Sequence, residues 1–315
     1  MSSEIIPPVS REKLKAELKP ERKARDIRGY EVYIVNAHNA PAVMDEIGRI
    51  REIEFRNEGG GTGKDRDIDT FDTAETPYHQ LVGWDPEHEE VIAVYRFKFG
   101  SGRNSSGQGN GYAALASEKL FQVSNEFRRE YLPYTLELGR SVVNRSAKKA
   151  ILGLYVVWGG LGALVRELPD MRYFFGKFTM YPTYDTNARD AIARFLDLHC
   201  ADRRNLIAPN DDLRVDPLTP ATEFEGVLTG SDWDSDYDRL LAYLKSRGES
   251  IPPLVASYLG LSHTMMSFGT AVNPAFGDVY ETAILITIND IGAKQRKRFI
   301  DTYEPINRSL FEGLA

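Results

Sequence analysis

Residues 136–143, LELGRSVV, combine side chains that suit a reactive centre. The segment has the pattern of a β-strand, carries the carboxylate of Glu137 and the guanidinium of Arg140, and is interrupted by Gly139. Residues three apart on a regular strand face opposite sides of the sheet, but a bulge at a glycine re-aims one of them. A carboxylate held near a cation would suit proton transfer during acyl transfer. The spacing of Glu137 and Arg140 alone favours a structural ion pair as much as a catalytic site.

A basic segment follows this strand. Arg145, Lys148 and Lys149 precede an apolar run that we expect to become helical at Ser146 or Ala147. Acidic residues are preferred in a first helical turn, because the helix N-terminus carries partial positive charge. Basic residues there favour an anionic ligand, such as a phosphate, or an acidic partner surface. A basic helix start without a ligand is the alternative.

Other charged residues fall on segments that are predicted to form a sheet and its loops. They are Arg51 near the end of a helix, Asp69 and Asp72 in an acidic loop, and Arg96 in a strand. Carboxylates among cations are candidates for a proton acceptor or a substrate anchor. A network of structural ion pairs is again the alternative.

Other kinds of catalytic site have little support. Cys200 stands next to His199, and adjacent residues rarely present a nucleophile and its base to each other. The glycine-rich run 59–64 follows a helix and lacks the spacing of a phosphate-binding loop, so we expect a flexible loop that covers the substrate. The five histidines have no metal-ligand spacing, which predicts no metal site.

The composition indicates an ordinary globular protein. The chain has 315 residues, 42% of them hydrophobic and 27% charged. Its net charge of -7 argues against nucleic acid as the main partner. One cysteine fits a reducing compartment, and neither a secretory signal nor a spanning helix is evident. We therefore expect a cytoplasmic protein.

Periodicity predicts alternating strands and helices. Strands are expected at 30–35, 79–84, 91–99, 134–143, 173–180 and 282–288, and helices at 40–55, 121–131, 150–165, 188–199 and 236–247. We expect a charged N-terminal arm at 1–28, a core at 29–200, and a C-terminal extension at 201–315 that packs on the core.

This order, with LELGRSVV before the basic segment, resembles the GNAT acyltransferase superfamily. More narrowly it resembles the hemolysin-like N-acyltransferases that make lyso-aminolipids. The phrases REIEFRNEGGGTGK, YLPYTLELGRS and TAVNPAFGDVYETAILI look closest to the glycine-lipid N-acyltransferases of Bacteroidetes. Arg51 with Phe55, the loop DIDTFD, Arg96, and Glu137 with Arg140 also match acyl-homoserine-lactone synthases.

The resemblance implies an α/β fold with a mixed, mostly antiparallel central sheet flanked by helices. It implies transfer of a long, 3-hydroxylated fatty acyl group from acyl carrier protein to the α-amine of a small amino acid such as glycine. Ornithine or an autoinducer precursor is the alternative acceptor on the same core. A non-catalytic acyl-carrier or lipid-binding module is the alternative of another class.

The resemblance also assigns roles. Glu137 would accept the amine proton, Asp69 and Asp72 would hold the ammonium or the closed loop, and three arginines would organise the acids and meet the substrate carboxylate: Arg51, Arg96 and Arg140. Phe55 would line the acyl channel, and His79 is a further substrate-binding candidate.

Arg145, Lys148 and Lys149 would meet the donor. Because this segment lacks the glycines of the usual pyrophosphate loop, it fits a phosphopantetheine thioester on acyl carrier protein better, and acyl-CoA is the alternative donor. No permanently bound cofactor is expected. Because the acylated product is hydrophobic, we expect contact with a membrane surface when it is released. The protein would therefore be cytoplasmic or peripheral to the inner membrane.

Overall fold

The computed structural model describes residues 2–100 and 113–314. In chain order the strands are β1 (Lys23–Ile27), β2 (Tyr30–Val35), β3 (His79–Asp85), β4 (Glu90–Phe99), β5 (Phe121–Val123), β6 (Thr135–Val143), β7 (Tyr173–Met180), β8 (Ile207–Pro209), β9 (Met266–Asn273) and β10 (Val279–Thr287). The α-helices are α1 (Arg11–Glu17), α2 (Pro41–Asn57), α3 (Asn125–Glu130), α4 (Gly153–Glu167), α5 (Thr186–His199), α6 (Trp233–Ser246), α7 (Pro253–Leu259), α8 (Ala293–Gln295) and α9 (Ser309–Glu312).

The chain divides into two compact units. Unit 1 comprises Met1–Ala116, Leu132–Arg172 and Ala293–Ala315, and unit 2 comprises Ser117–Tyr131 and Tyr173–Gly292. The charged N-terminal segment belongs to unit 1, where Leu14 and Leu18 are buried in the same core as Met44. The expected boundaries at residues 28 and 200 stay a prediction.

Unit 1 is built on antiparallel pairs in the order β1–β2–β3–β4–β6. Side chains alternate between the two faces of this sheet along each strand, and a helix packs on each face. Tyr33 and Val82 pack in the core with Ile47 of α2. On the opposite face, a Cβ added at Gly160 of α4 would lie 2.8 Å from Val32 and 2.9 Å from Leu81. The predicted mixed α/β fold is confirmed.

Helix α4 is the core helix of unit 1. Among the described residues, the helical stretch Ala150–Glu167 is long and apolar enough to cross a membrane, but 56% of it is buried. It packs on β1, β2, β3 and β4. Such burial is typical of a core helix.

Unit 2 contains the antiparallel order β7–β10–β9 and the short pair β5–β8. Helices α5 and α6 contact each other, and His199 Nε2 lies 2.9 Å from the buried Asp236. Cys200 is buried, which raises the pKa of its thiol to about 12 and fits an inert residue. A cavity of about 500 Å³ is lined in part by Thr270, Thr282 and Arg194.

Two helices differ from expectation. The predicted helix at 121–131 is split into β5 and α3, because Ser124 caps the helix by accepting from the Phe127 N–H at 3.1 Å. The helix expected to begin at Ser146 or Ala147 begins later. A turn occupies this segment, a 3₁₀ turn follows at Ala150–Leu152, and α4 starts after it.

Gly162→Ala should lower the free energy of unfolding by about 3 kcal/mol. The added Cβ would lie 1.9 Å from the carbonyl oxygen of Phe299, so the backbone must move. Chemical denaturation measures this change. Gly313→Ala is the control, since its Cβ would meet nothing within 4 Å. Equal stability of the two variants would contradict the packing described for α4.

Candidate active site

Three arginines and three aspartates converge in unit 1 and form what we call the Asp–Arg cluster. Its members are Arg51 on α2, Asp67, Asp69 and Asp72 on the loop between α2 and β3, Arg96 on β4, and Arg140 on β6. Five of the six were predicted as site residues from the sequence. The structure therefore brings together side chains that are widely separated along the chain.

Asp72 is the centre of the cluster. Its Oδ2 lies 3.2 Å from Arg51 Nη1 and 3.3 Å from Arg96 Nη1. Its Oδ1 accepts a hydrogen bond from Gln80 at 3.0 Å, and Gln80 in turn accepts from Arg51. Arg96 Nη1 also lies 2.8 Å from Asp69 Oδ2. Because Arg51 and Asp72 are completely buried, these bonds replace the water that both charges lack.

Arg140 and Asp67 form the second part of the cluster. Arg140 Nε lies 2.7 Å from Asp67 Oδ2, and Arg140 Nη2 donates to Asp67 Oδ1 at 3.3 Å. The backbone N–H of Asp67 donates to the carbonyl of Gly48 at 2.9 Å. The acidic loop is thereby tied both to α2 and to β6.

The charges of the cluster compensate one another. Burial raises the pKa of Asp69, but the charge and hydrogen bond of Arg96 outweigh it and hold this pKa well below its ordinary value. Burial lowers the pKa of Arg96, but Asp72 and Asp69 outweigh it and bring it above its ordinary value. The pKa of Arg51 is lowered by burial, against the charge of Asp72. Removing one member would leave an uncompensated buried charge.

A β-bulge explains how Arg140 reaches the cluster. The register of β4 against β6 shifts between Val94 and Arg96. The extra residue on β6 falls directly after Gly139, and Arg140 has φ 50°, in the left-handed region. The bulge predicted at Gly139 is therefore confirmed.

Glu137 lies beside the cluster on β6, the strand that also carries Arg140. Its side chain is almost fully buried. Its Oε2 accepts hydrogen bonds from the Tyr78 hydroxyl and from the Ala116 N–H, the latter at 3.1 Å. Burial and the negative charge of Glu137 raise the pKa of Tyr78 far above its ordinary value, so Tyr78 stays protonated. The Arg96 guanidinium lies 5.1 Å from the centre of the Tyr78 ring and connects this pair to the cluster.

Phe55 and His79 lie in unit 1, and both are only partly buried. Phe55, on α2, is partly buried against the core that contains Ile50. His79 is half-buried and stacks on Phe97, with ring centres 5.5 Å apart. Burial, with a smaller contribution from Lys98, lowers the pKa of His79 to about 4, so its ring is neutral near pH 7. Their roles in substrate binding stay predictions.

The basic segment is an exposed turn between β6 and α4. Arg145 Nε lies 2.7 Å from Glu54 Oε2, and its Nη2 pairs with Glu58. Its backbone N–H also donates to Glu54, at 2.8 Å. The backbone N–H of Lys148 donates to a carboxylate at 2.8 Å as well. The side chains of Lys148 and Lys149 are exposed and form no ion pair with the described residues. Their role in donor binding stays a prediction.

The glycine-rich loop 59–64 is anchored rather than loose. The Glu52 carboxylate accepts from the Thr62 N–H at 3.0 Å, the Thr62 hydroxyl at 2.7 Å and the Gly63 N–H at 2.8 Å. These bonds lower the pKa of Glu52 against the effect of its burial. The loop therefore serves as a cap for a buried carboxylate of α2, which sequence reasoning did not foresee.

Among the described residues, Asp85, His88 and Glu90 bring three potential metal-ligand atoms within 4.8 Å of one another. Asp85 already accepts from the Glu87 N–H at 2.9 Å and lies 2.9 Å from the His88 ring nitrogen. These bonds are typical of a residue that closes a turn. The expected absence of a metal site stays a prediction.

Sequence reasoning missed Tyr78 and Gln80. Gln80 stands at a buried position of a strand, where a polar side chain among apolar ones indicates a bonded partner. Tyr78 directly precedes that strand and gave no comparable signal. Asp67 lay within the quoted DIDTFD motif but was not singled out.

The arrangement suits a reaction in which a nucleophile loses a proton near an anionic group. Glu137 is a buried acceptor whose neighbour Tyr78 keeps its proton. Asp69 and Arg140 have side chains 20% and 17% exposed, while Asp72 and Arg51 have none of their surface exposed. A substrate would therefore meet Asp69 and Arg140, and the buried pair would position them.

A family model and two curated proteins match the chain. The model of the acetyltransferase (GNAT) domain matches residues 50–158. Glycine N(alpha)-acyltransferase of Phocaeicola vulgatus is 44% identical over 308 residues, which cover 95% of this chain and 93% of that protein. Glycine N(alpha)-acyltransferase of Bacteroides thetaiotaomicron is 44% identical over 308 residues, with 95% and 90% covered.

Solved structures overlap more loosely. The crystal structure of the AHL synthase LasI has 12% sequence identity and a TM-score of 0.43, and the match covers 87% of this chain and 98% of that one. FeeM, an N-acyl amino acid synthase from uncultured soil microbes, has 10% identity and a TM-score of 0.39, with 85% and 93% covered.

Arg51→Met should lower the free energy of unfolding by about 3–5 kcal/mol, because it leaves the buried Asp72 short of one cation. Denaturant titration measures the change. Arg66→Met is the control, since the Arg66 side chain is 39% exposed and lies 3.6 Å from Asp45 at the surface, and it should cost under about 1 kcal/mol. If both variants lost the same small amount, the cluster would not be a stabilising network.

His79→Phe should flatten the dependence of stability on pH. The pKa of His79 is lowered from 6.5 to about 4 in the folded chain, so the wild type loses stability as pH falls through this range. The loss is roughly 2 kcal/mol, less than the full shift would give because the side chain is partly exposed. Unfolding at pH 7 and pH 4 measures it. His263→Phe, at an exposed histidine, is the control.

Proposed function

The chain belongs to the glycine N(alpha)-acyltransferase family and is an N-acyltransferase, and we propose that it moves a long fatty acyl group from a thioester to the α-amine of glycine. The support for glycine is the identity of 44% over 95% of the chain with two relatives of that name. The structural observation that supports the proposal most strongly is the position of Glu137, a buried carboxylate beside the Asp–Arg cluster.

The reaction is an attack of the neutral amine on the thioester carbonyl. A C–N bond forms, the C–S bond breaks, and the thiol of the donor leaves. Glu137 accepts the amine proton, directly or through a water, and the departing sulfur takes up a proton in its turn. No covalent enzyme intermediate is needed when both substrates are held in line. Negative charge develops on the carbonyl oxygen meanwhile and must be stabilised by a hydrogen-bond donor.

The cluster divides into groups that meet the acceptor and groups that position them. Arg140, with its partly exposed side chain, would bind the carboxylate of the amino acid. Asp69 would hold the ammonium before its proton is lost. Arg51, Arg96 and Asp72 are too deeply buried to be the first contact and would fix these two side chains in place.

The donor in this proposal is acyl carrier protein loaded with a long, 3-hydroxylated acyl chain. An acidic carrier would be attracted by Lys148 and Lys149, while Arg145 is already neutralised by Glu54 and Glu58. Phe55 would line the acyl channel. In this proposal the protein is a hemolysin-like N-acyltransferase, and its product enters aminolipid biosynthesis. It would work in the cytoplasm or at the inner membrane.

Incubation with defined donors and acceptors tests this function. The purified chain is mixed with acyl carrier protein or CoA thioesters of several lengths and with glycine, ornithine or serine, and N-acyl products are identified by mass spectrometry. We expect N-acylglycine, formed faster from the carrier protein. An acylated ornithine alone would replace glycine as the acceptor, and no N-acyl product from any pair would refute the proposal.

Glu137→Gln should reduce kcat by a factor of about 10²–10⁴ with an unchanged fold, because the amide cannot accept the proton. Steady-state kinetics with glycine measure the effect, and circular dichroism monitors folding. The matched control is Glu46→Gln, a buried carboxylate on α2 that binds Arg49. Normal turnover by the folded Glu137→Gln variant would exclude Glu137 as proton acceptor.

A further inference from the structure

Two guanidinium groups that have no carboxylate partner among the described residues lie against one tyrosine at the surface of unit 1. The Arg28 guanidinium lies 5.0 Å and the Arg298 guanidinium 4.9 Å from the centre of the Tyr155 ring. Both arginines are exposed, and neither forms an ion pair with the described residues. Asp301 lies on the same stretch of chain as Arg298 but does not pair with it. The described contacts of the two cations are thus with aromatic rings, since Arg298 also lies 5.0 Å from the centre of the Phe299 ring.

Three separate elements place these side chains together. Arg28 is at the tip of the hairpin between β1 and β2, where Arg28 and Gly29 have positive φ of 50° and 84°. Tyr155 lies in the first turn of α4, and Arg298 lies in the π-helical turn Arg296–Ile300. Two cations near one ring repel each other, which an anion from outside would relieve.

An exposed apolar residue precedes Tyr155 along the chain. Ile151 is 92% exposed and precedes Tyr155 by four residues, about one helical turn. Leu152 and Leu154 are only half-buried. Lys148 and Lys149 add positive charge to the turn before them. A free phosphate ion needs no apolar contact, whereas a lipid surface offers phosphates and an apolar layer together.

We propose that Arg28, Ile151, Tyr155 and Arg298, which we call the interfacial patch, dock the enzyme on an anionic phospholipid membrane. The two guanidinium groups bind lipid phosphates, Ile151 enters the headgroup layer, and the Tyr155 ring lies at the boundary between water and lipid. This inference rests on the proposed function in one respect: an N-acyl product with a long chain has to leave water for a membrane. The patch lies in the same unit as Glu137.

Vesicle sedimentation with the full chain tests the proposal. Vesicles of phosphatidylglycerol and phosphatidylcholine are compared with vesicles of phosphatidylcholine alone, over a range of salt. We expect binding to the anionic vesicles that falls as salt rises. Arg28→Gln with Arg298→Gln should weaken it about tenfold or more, and Ile151→Ser should weaken it severalfold at all salt concentrations.

Matched controls separate the patch from charge in general. Arg11→Gln with Arg166→Gln removes the same charge, and Arg166 lies at the opposite end of α4. Leu218→Ser removes another exposed apolar side chain, which is 77% exposed. These controls should bind vesicles like the wild type. All variants leave Lys148 and Lys149 unchanged and should acylate glycine normally from a soluble short-chain thioester.

Several outcomes would overturn the proposal. They are absence of binding to anionic vesicles, equal losses in the patch and control variants, or patch variants that bind vesicles normally but show a raised KM for acyl carrier protein only. The last result would make the patch a carrier-docking surface. Failure of acyl transfer in every chain, with salt-sensitive vesicle binding intact, would refute the proposed function and leave the docking in place.

Discussion

The ion pairs of Asp72 with Arg51 and Arg96 are the constraint on which unit 1 depends. They join a helix, a loop and a strand, and Arg51 and Asp72 have no surface exposed to water. Buried charges are costly unless they are compensated, so these elements can approach only when all the partners are present. The acidic loop is fixed by this requirement, and with it the surroundings of Glu137. The bulge on β6 adds Arg140 and Asp67 to the same compensated set.

Much of this site could be predicted from residue types. Arg51, Asp69, Asp72, Arg96, Glu137 and Arg140 stood out as charges on predicted strands and loops, and Gly139 indicated the bulge. Their partners could not be predicted in the same way, because contacts between distant segments are set by tertiary packing. Tyr78 bonds Glu137 from a residue 59 positions away, and Gln80 reads as an ordinary strand residue until its burial is known.

The fold followed a similar rule. Strong periodicity placed most of the strands and the long helices of both units correctly. Local competition decided the failures: Ser124 favours a helix cap over helix continuation, and the turn after β6 is held by Glu54 and Glu58 rather than opening a helix. The charges of unit 1 fall into two groups. Those of the cluster are largely buried and compensate one another, whereas four exposed cations form no ion pair with the described residues: Lys148, Lys149, Arg28 and Arg298.

The central claim is that the ion pairs of Asp72 also act on catalysis through Glu137. Asp72 holds Arg96, whose guanidinium lies against the ring of Tyr78, and the Tyr78 hydroxyl donates to Glu137. A double-mutant cycle tests this link most directly. Turnover of glycine would be measured for the wild type, Asp72→Asn, Glu137→Gln and the double variant, with folding checked for each. If Asp72 acts through Glu137, Asp72→Asn slows the wild type but has little further effect once Glu137 is replaced. Independent, multiplying effects of the two substitutions would contradict the account.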